Sequence, residues 1–196
     1  MKKILTTALV LGALYGVANA TEIKPYVGLD AGYNKMDTKD SWWDKKTSKE
    51  FNYGLNAGAK FELENNLFAG AELYYRLGKL VDYKYSDPYE DVSLEIKNTF
   101  GAKLYFGYEF NDKLNAFASF GLNRMNYEYK YDGFFGYEKD TDDRFAPSYG
   151  FGVSYQVIDN LEARLSYEFL DYEVKFYGNT EKLDAHSIRL GVNYLF

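Results

Sequence analysis

The chain ends on the stretch His186-Ser187-Ile188-Arg189-Leu190-Gly191-Val192-Asn193-Tyr194-Leu195-Phe196, and this stretch decides the fold. In steps of two, one set of its positions is apolar: Ile188, Leu190, Val192, Tyr194 and Phe196. The positions between them are polar or minimal: Ser187, Arg189, Gly191 and Asn193. This period of two belongs to a β-strand with two different faces. The stretch therefore predicts a half-buried strand that stops on an aromatic residue.

Seven earlier stretches alternate in the same way. They are residues 26–34, 52–61, 67–78, 94–110, 114–129, 148–157 and 161–169. Aromatic residues favour strands, and the chain holds 21 Tyr and 15 Phe. The pattern predicts an all-β protein of eight strands, an even number as in bacterial single-chain barrels.

The connections alternate in length along the chain. Segments 63–66, 111–113 and 158–160 are short, whereas segments 36–50, 79–92, 131–145 and 176–185 are long and polar. An up-and-down antiparallel barrel in a membrane has this asymmetry, with short periplasmic turns and long extracellular loops.

The two strand faces differ in bulk, which decides the face that points inward. The interior of an eight-stranded barrel is only wide enough for side chains or one small ligand. The apolar face, rich in Leu, Phe and Tyr, is too bulky for that space, whereas the other face is rich in glycine. The apolar face is therefore expected to meet lipid, which favours a transmembrane barrel over a soluble lipocalin-like one. Aromatic residues near the strand ends predict two girdles at the lipid headgroups: Phe61, Tyr108, Phe110, Tyr155, Tyr194 and Phe196 at one end, and Tyr33, Tyr53, Tyr75, Tyr149 and Phe169 at the other.

Two places break the alternation. Asn98 is a polar misfit on the apolar face of its strand, where Leu94, Ile96 and Phe100 are placed together. In the next strand the apolar series shifts phase near Asn123-Arg124, which predicts a β-bulge there.

The N-terminus has the features of a signal peptide. Lys2 and Lys3 precede an apolar run that ends at Ala18-Asn19-Ala20, an A-x-A cleavage pattern. The alternative, a membrane anchor, is disfavoured because a spanning helix needs about 20 apolar residues. We therefore predict a signal peptide at residues 1–20 and one barrel domain at residues 21–196. Loss of the two lysines changes the formal charge from −6 to −8.

Composition excludes several function classes. An acidic mature chain is a poor candidate for binding nucleic acid. The chain contains no cysteine, which excludes disulfides, thiolate zinc sites and thiol catalysis.

The C-terminal residues carry a family resemblance. Arg189, Gly191, Tyr194 and Phe196 have the order of a polar residue, a glycine two residues on, and aromatics third from last and last, which resembles the assembly signal of bacterial outer-membrane barrels. The whole mature chain resembles the small barrel family that includes outer membrane proteins A and X and the opacity-type surface proteins. The resemblance implies an integral protein of the Gram-negative outer membrane that meets lipid and lipopolysaccharide. It also implies recognition by the barrel-assembly machinery through the last strand, a monomer, and no cofactor.

Six charged residues are expected on the inward face near mid-height, where they can neutralise one another. They are Asp30, Glu72, Arg76, Lys103, Glu168 and Arg189. We expect Glu72 to pair with Arg76 or Arg189. Two interpretations remain open: a rigid plug, or a gated narrow porin whose pairs can re-form.

An enzymatic role receives little support. Some barrels of this size modify lipid A with a histidine and a serine on the membrane face, and His186 is the only histidine here, with Ser187 beside it. Adjacent strand residues point to opposite faces, so the two cannot easily share a proton. Asp140, Asp142 and Asp143 lack a calcium-loop pattern. We predict no catalytic residue, metal site or cofactor, and keep a lipid A-modifying enzyme as an alternative.

Aromatic residues also occur among charges in the long connections. They are Trp42, Trp43, Phe134, Phe135 and Tyr137. Exposed aromatics on a polar loop suggest a binding surface for a host or matrix ligand, although packing between loops or contact with lipopolysaccharide would explain them equally well. The sequence thus predicts a non-enzymatic outer-membrane barrel with a structural or adhesion-type role.

Overall fold

The computed structural model describes residues 20–38, 47–79, 81–86, 90–133, 136–176 and 179–196. The strands are β1 (Glu22–Thr38), β2 (Thr47–Glu62), β3 (Leu67–Leu77), β4 (Val81–Ser86), β5 (Glu90–Glu109), β6 (Leu114–Gly133), β7 (Gly136–Ile158), β8 (Leu161–Phe176) and β9 (Asn179–Leu195). Among these residues, no helix is long and apolar enough to cross a membrane. Residues 1–19, most of the predicted signal peptide, lie outside the described part.

The strands close into an antiparallel barrel. β1 pairs with β2 and β9, β2 pairs with β3, and the strands from β5 to β9 pair in chain order, while β3 closes the sheet against β5. β4 also pairs with β5, beyond the end of β3, so that β3 and β4 form one wall strand and the barrel has eight. This confirms the predicted eight-stranded up-and-down fold.

The register fixes the width of the barrel. Paired residues traced around the wall from Lys49 of β2 return to the same strand at Ala59, a shear of ten residues. With strand spacing of about 4.8 Å and a rise of about 3.3 Å per residue, this shear gives a tilt of about 41° and a Cα radius of about 8 Å. Side chains from opposite walls therefore meet in the middle of the lumen.

The short turns lie where the sequence predicts them. Asn65 and Asn66 adopt left-handed φ angles of 60° and 62°, a conformation that asparagine tolerates better than most residues. In the next turn, the Asn111 side chain accepts hydrogen bonds from the backbone N–H groups of Lys113 and Leu114, each at 2.9 Å. Compact turns therefore connect the strands at this end of the barrel, which we name the short-turn end.

The opposite end differs from the prediction. Much of the four segments expected to be loops is strand: β6 and β7 pair as far as Gly133 and Gly136, and β8 and β9 as far as Phe176 and Asn179. β4 lies wholly inside the predicted loop 79–92. We name this end of the barrel, where the long β6–β7 and β8–β9 hairpins lie, the hairpin end.

The predicted bulge in β6 is wrong. β6 pairs continuously with β7, with Arg124 outward and Met125 inward and only 1% exposed. The register shift lies instead in β5, between Ile96 and Asn98. It turns Ile96 into the lumen, where it is 1% exposed, so Ile96 does not share the face of Phe100. A second shift, between Gln156 and Ile158, lies next to a short turn.

The apolar face is outward and the glycine-rich face inward, as expected. Exposed outward residues such as Leu29, Leu165 and Leu190 form a belt around the wall. Most of the predicted girdle aromatics belong to its edges, but Phe61 is only 7% exposed. It lines an outward groove of about 290 Å³ with Leu104, Phe106 and Phe120.

Candidate functional site

The lumen holds a central ionic network, which consists of four acids and four bases. The acids are Asp30, Glu72, Glu162 and Glu168, and the bases are Arg76, Lys103, Arg164 and Arg189. No side chain in this set is more than 14% exposed. The formal charges cancel, as they must where water is scarce, because an unpaired buried ion is strongly destabilising.

Glu168 is the most buried acid of the network, with a side chain 1% exposed. One carboxylate oxygen accepts a hydrogen bond from Arg76 Nη2 at 2.7 Å, and the other accepts one from Lys103 Nζ. The Arg76 guanidinium also lies 4.2 Å from the centroid of the Tyr74 ring. Glu168 therefore ties together β3, β5 and β8, which meet across the lumen.

Glu72 forms the second centre of the network. Its Oε2 accepts hydrogen bonds from Arg164 Nη1 at 2.6 Å and from the Tyr26 hydroxyl at 2.8 Å. Lys103 Nζ lies 3.6 Å from Oε1 and so bridges the Glu72 and Glu168 centres. Arg164 also donates to Glu162 at 3.2 Å. These contacts extend the network toward the short-turn end.

Asp30 and Arg189 form the third centre, on β1 and β9. Arg189 donates from both Nε and Nη2 to Asp30 Oδ1, with the Nε contact at 2.9 Å, and from Nη1 to Asn52 Oδ1 at 2.9 Å. Gly32 makes room for this fork, since a Cβ built there would lie 2.3 Å from Arg189 Nη1.

Apolar layers lie on both sides of the ionic network. Toward the short-turn end a buried cluster fills the lumen, and its members are Tyr26, Phe68, Tyr105, Phe117 and Leu195. Toward the hairpin end the inward positions carry Met36, Ile96, Met125, Leu170 and Ala185, each at most 4% exposed. The cavity at the centre of the network has a volume of about 20 Å³, which is room for about one water molecule. The lumen is packed rather than open.

The structure brings the six predicted lumen residues together, but with different partners. Arg76 binds Glu168 and Arg189 binds Asp30, so the expected pairing of Glu72 with either arginine is wrong. Sequence reasoning missed Arg164 and Glu162, and also the hydroxyl of Tyr26. All three lie at inward strand positions, so their strand phase was the signal that could have found them.

His186 and Ser187 lie on opposite faces of β9. Ser187 is 2% exposed in the lumen, whereas His186 faces outward and its Nδ1 lies 2.5 Å from the Tyr167 hydroxyl. No base and nucleophile pair is formed by these two residues. Among the described residues, no group of three His, Asp or Glu is arranged to hold a metal ion.

The C-terminal residues lie on both faces of the wall. Arg189 and Gly191 are buried inward, while Tyr194 and Phe196 are 47% and 68% exposed outward, with ring centroids 5.1 Å apart. The Phe196 N–H donates to Pro25 O at 2.9 Å, which fastens the end of the chain to β1.

Four of the five predicted loop aromatics fall outside the part of the chain that the structure describes. Trp42, Trp43, Phe134 and Phe135 lie outside the described residues, and Tyr137 is placed near the start of β7. The strands at the hairpin end extend well past the apolar belt. On β7 the exposed apolar series ends at Phe145, and the nine residues from 136 to 144 form about 30 Å of additional strand.

Comparison with known proteins shows the family to which this sequence belongs. The family model for the outer membrane protein beta-barrel domain matches residues 73–196, and the model for the opacity family porin protein matches residues 2–110. No curated protein matches the sequence. Among solved structures, Neisserial surface protein A is similar, with 17% identity and a TM-score of 0.58 over 88% of this chain and 97% of that one. Ail, the attachment invasion locus protein of Yersinia pestis, has 13% identity and a TM-score of 0.57 over 90% of this chain and 100% of that one, in a complex with the heparin analogue sucrose octasulfate.

Proposed function

Because this chain belongs to the outer membrane protein beta-barrel domain and opacity families, we propose that it is a closed, non-catalytic barrel whose role is surface interaction. The strands that continue outside the membrane carry this role, and the barrel holds them in place. One observation carries the proposal. The lumen is packed with a neutral ionic network between two apolar layers, while the hairpins continue well beyond the apolar belt.

The ligand class differs from that of the heparin analogue in the Ail complex. The described strand segments outside the belt are rich in acids, which would repel a sulfated polyanion. A ligand of this chain is therefore expected to be neutral or cationic in its contact region.

Further partners follow from the membrane location. Outer-membrane lipid and lipopolysaccharide surround the apolar belt, and the barrel-assembly machinery recognises the last strand, with Tyr194 and Phe196 on its outward face. The protein acts as a monomer, after cleavage of a signal peptide near residue 20.

A narrow porin is the second candidate, because the matching opacity family is described as porin proteins. Conduction requires the contacts of Glu72 and Arg189 to break, since the cavity that these two residues help to line holds about one water molecule. Lipid A modification has no such support, because His186 and Ser187 are on opposite faces.

The test is adherence of expressing cells to host surfaces after a hairpin is shortened. In one variant an Asn-Gly turn replaces residues 128–141, which leaves Tyr127 paired with Asp142 at the hairpin tip. In a matched variant the same turn replaces residues 173–182, which leaves Tyr172 paired with Leu183. Both variants should fold, because the membrane part of the wall is unchanged. Adherence should fall in at least one of them, and full adherence in both would refute the surface role.

A further inference from the structure

The outward groove beside Phe61 has the size of a small ligand site. Its volume is about 290 Å³, close to the lower end of the range of about 300–1,000 Å³ in which ligand pockets fall. The residues that line it belong to four neighbouring strands, β2, β3, β5 and β6. The groove therefore crosses the wall of the barrel instead of lying between two strands.

The sizes of paired outward residues create the groove. The register aligns four of them in one row across the four strands: Phe61, Ala69, Phe106 and Ala118. Large and small side chains alternate along this row, so each alanine leaves a gap beside a phenylalanine ring. The residues that follow the two alanines in the chain, Gly70 and Ser119, are also small. The wall is therefore thin at both gaps.

Tyr105 closes the groove on the lumen side. It pairs with both Gly70 and Ser119, and a Cβ built at Gly70 would lie 2.0 Å from Tyr105 Cζ. The Tyr105 hydroxyl donates to the Tyr26 hydroxyl in the lumen at 3.0 Å. Among the residues that line the groove, all of them in the described part of the chain, no side chain has a buried polar atom without a hydrogen-bond partner. The groove therefore suits a ligand segment that has no polar group.

The groove lies in the half of the apolar belt nearer the short-turn end. Ala69 is two residues from the start of β3 at Leu67, and Ala118 is four residues from the start of β6 at Leu114. With a rise of about 3.3 Å per residue and a tilt of about 41°, these distances are about 5 and 10 Å along the barrel axis. One leaflet contributes about 15 Å to the hydrocarbon core. The groove is therefore beside the acyl chains of the periplasmic leaflet, where the short turns lie.

An acyl chain fits this groove better than a second copy of the protein does. The barrel wall is convex, with a Cα radius of about 8 Å, so two barrels in contact touch along a narrow strip, whereas the groove crosses four strands. A lipid chain is thin and flexible, and an unfilled gap deprives its lining of van der Waals contacts. Because all lipid chains are as apolar as the groove, selectivity comes from shape.

We propose that the groove binds one linear acyl chain of a phospholipid from the periplasmic leaflet. The chain lies over Ala69 and Ala118, against the rings of Phe61 and Phe106, and completes the outer wall in front of Tyr105. The groove recognises the shape of the chain and not the headgroup. This site is independent of the proposed surface role, because it lies at the end of the barrel opposite the hairpins.

The test is native mass spectrometry of the purified protein released from nanodiscs of palmitoyl-oleoyl phosphatidylcholine. Collisional activation removes loosely held lipid first, and we expect one lipid per barrel to remain bound longest. Nanodiscs of palmitoyl-oleoyl phosphatidylglycerol change only the headgroup and should give the same retention within about twofold. Nanodiscs of diphytanoyl phosphatidylcholine, whose chains carry methyl branches, should lower retention at least about fivefold, because the branches overfill the gaps.

A matched pair of variants locates the bound chain. Ala69→Leu with Ala118→Leu fills the groove and should lower retention of the linear lipid at least about fivefold. The control, Ala31→Leu with Ala57→Leu, adds the same volume at outward positions that do not line the groove. It should change retention by less than about twofold, because its effect is remote from the site. Heat-modifiable mobility verifies that both variants are folded, and the comparison of lipids in the unmodified protein needs neither variant.

Equal retention in the two double variants, or equal retention of the linear and branched lipids, would overturn the proposal. So would an unmodified protein that retains no lipid, or one whose retention follows the headgroup. A dimer that dissociates when the groove is filled would show that a second copy of the chain, and not a lipid, occupies the groove.

Discussion

Replacing Glu168 by glutamine should destabilise the barrel strongly, although the number of non-hydrogen atoms stays the same. The side chain is 1% exposed and its two oxygens accept from Arg76 and Lys103. Glutamine has one acceptor oxygen and turns an NH₂ group toward one of the two cations. The central ionic network would then hold four bases and three acids.

Breaking a buried pair in this way typically costs about 3–5 kcal/mol, because a buried charge remains unpaired. Adding Arg76→Met removes the arginine that Glu168→Gln leaves unpaired. Lys103 keeps a carboxylate neighbour, because its Nζ lies 3.6 Å from Glu72 Oε1. The double variant should therefore be more stable than Glu168→Gln alone, with a coupling of about 0.5–3 kcal/mol.

The assay is urea unfolding in phospholipid vesicles, followed by heat-modifiable electrophoretic mobility. The control is Glu64→Gln, because Glu64 is exposed in a short turn and its neutralisation should change stability by less than about 0.5 kcal/mol. If Glu168→Gln unfolds at the same urea concentration as this control, the central network does not hold the barrel together and the reasoning fails.

Three further predictions concern other parts of the wall. Leu165→Arg, on the outward face where Leu165 is 49% exposed, should cost about 2–4 kcal/mol in vesicles if it meets the bilayer midplane, and a fully stable variant would contradict the lipid-facing assignment. Deletion of Phe196 should lower the amount of protein in outer-membrane fractions more than it lowers the stability of refolded protein; normal surface levels would show that the terminal aromatic is not an assembly signal. Gly70→Ala should cost about 1–3 kcal/mol, because its Cβ would lie 2.0 Å from Tyr105 Cζ, whereas Gly191→Ala, with a nearest atom at 3.2 Å, should be milder in the same unfolding assay.

The membrane part of the fold could be read from the sequence because lipid imposes a strict pattern. Each wall strand must show apolar side chains outward and small or polar ones inward, so Leu161 to Phe169 reads as a strand without ambiguity. Outside the membrane this constraint ends. The sequence of residues 136–144 carries charges at both odd and even positions and therefore predicts a loop, although backbone pairing with β6 continues through these residues.

The misplaced bulge has the same cause. The outward apolar series of β6 stops after Leu122 because the belt ends there, and Arg124 is the first polar residue beyond it. A change of environment was therefore interpreted as a change of phase. The true register shift beside Lys97 left only Asn98 as a visible misfit.

The ionic network was predictable in composition but not in pairing. Strand phase tells which residues face the lumen, but partners depend on the shear and on side-chain reach across the barrel. Arg164 lies nearer the short-turn end than Glu72, yet its long side chain reaches the carboxylate at 2.6 Å. Such a contact joins residues 92 positions apart and leaves no local trace in the sequence.

The most direct test of the account is the ionic conductance of the purified protein in planar bilayers, with insertion verified by heat-modifiable mobility. A lumen filled by the central ionic network and closed by Tyr105, Phe117 and Met125 predicts a baseline equal to that of the bare bilayer. Discrete, reproducible channel openings from the unmodified protein would contradict the packed lumen and would make the barrel itself, rather than its hairpins, the functional part.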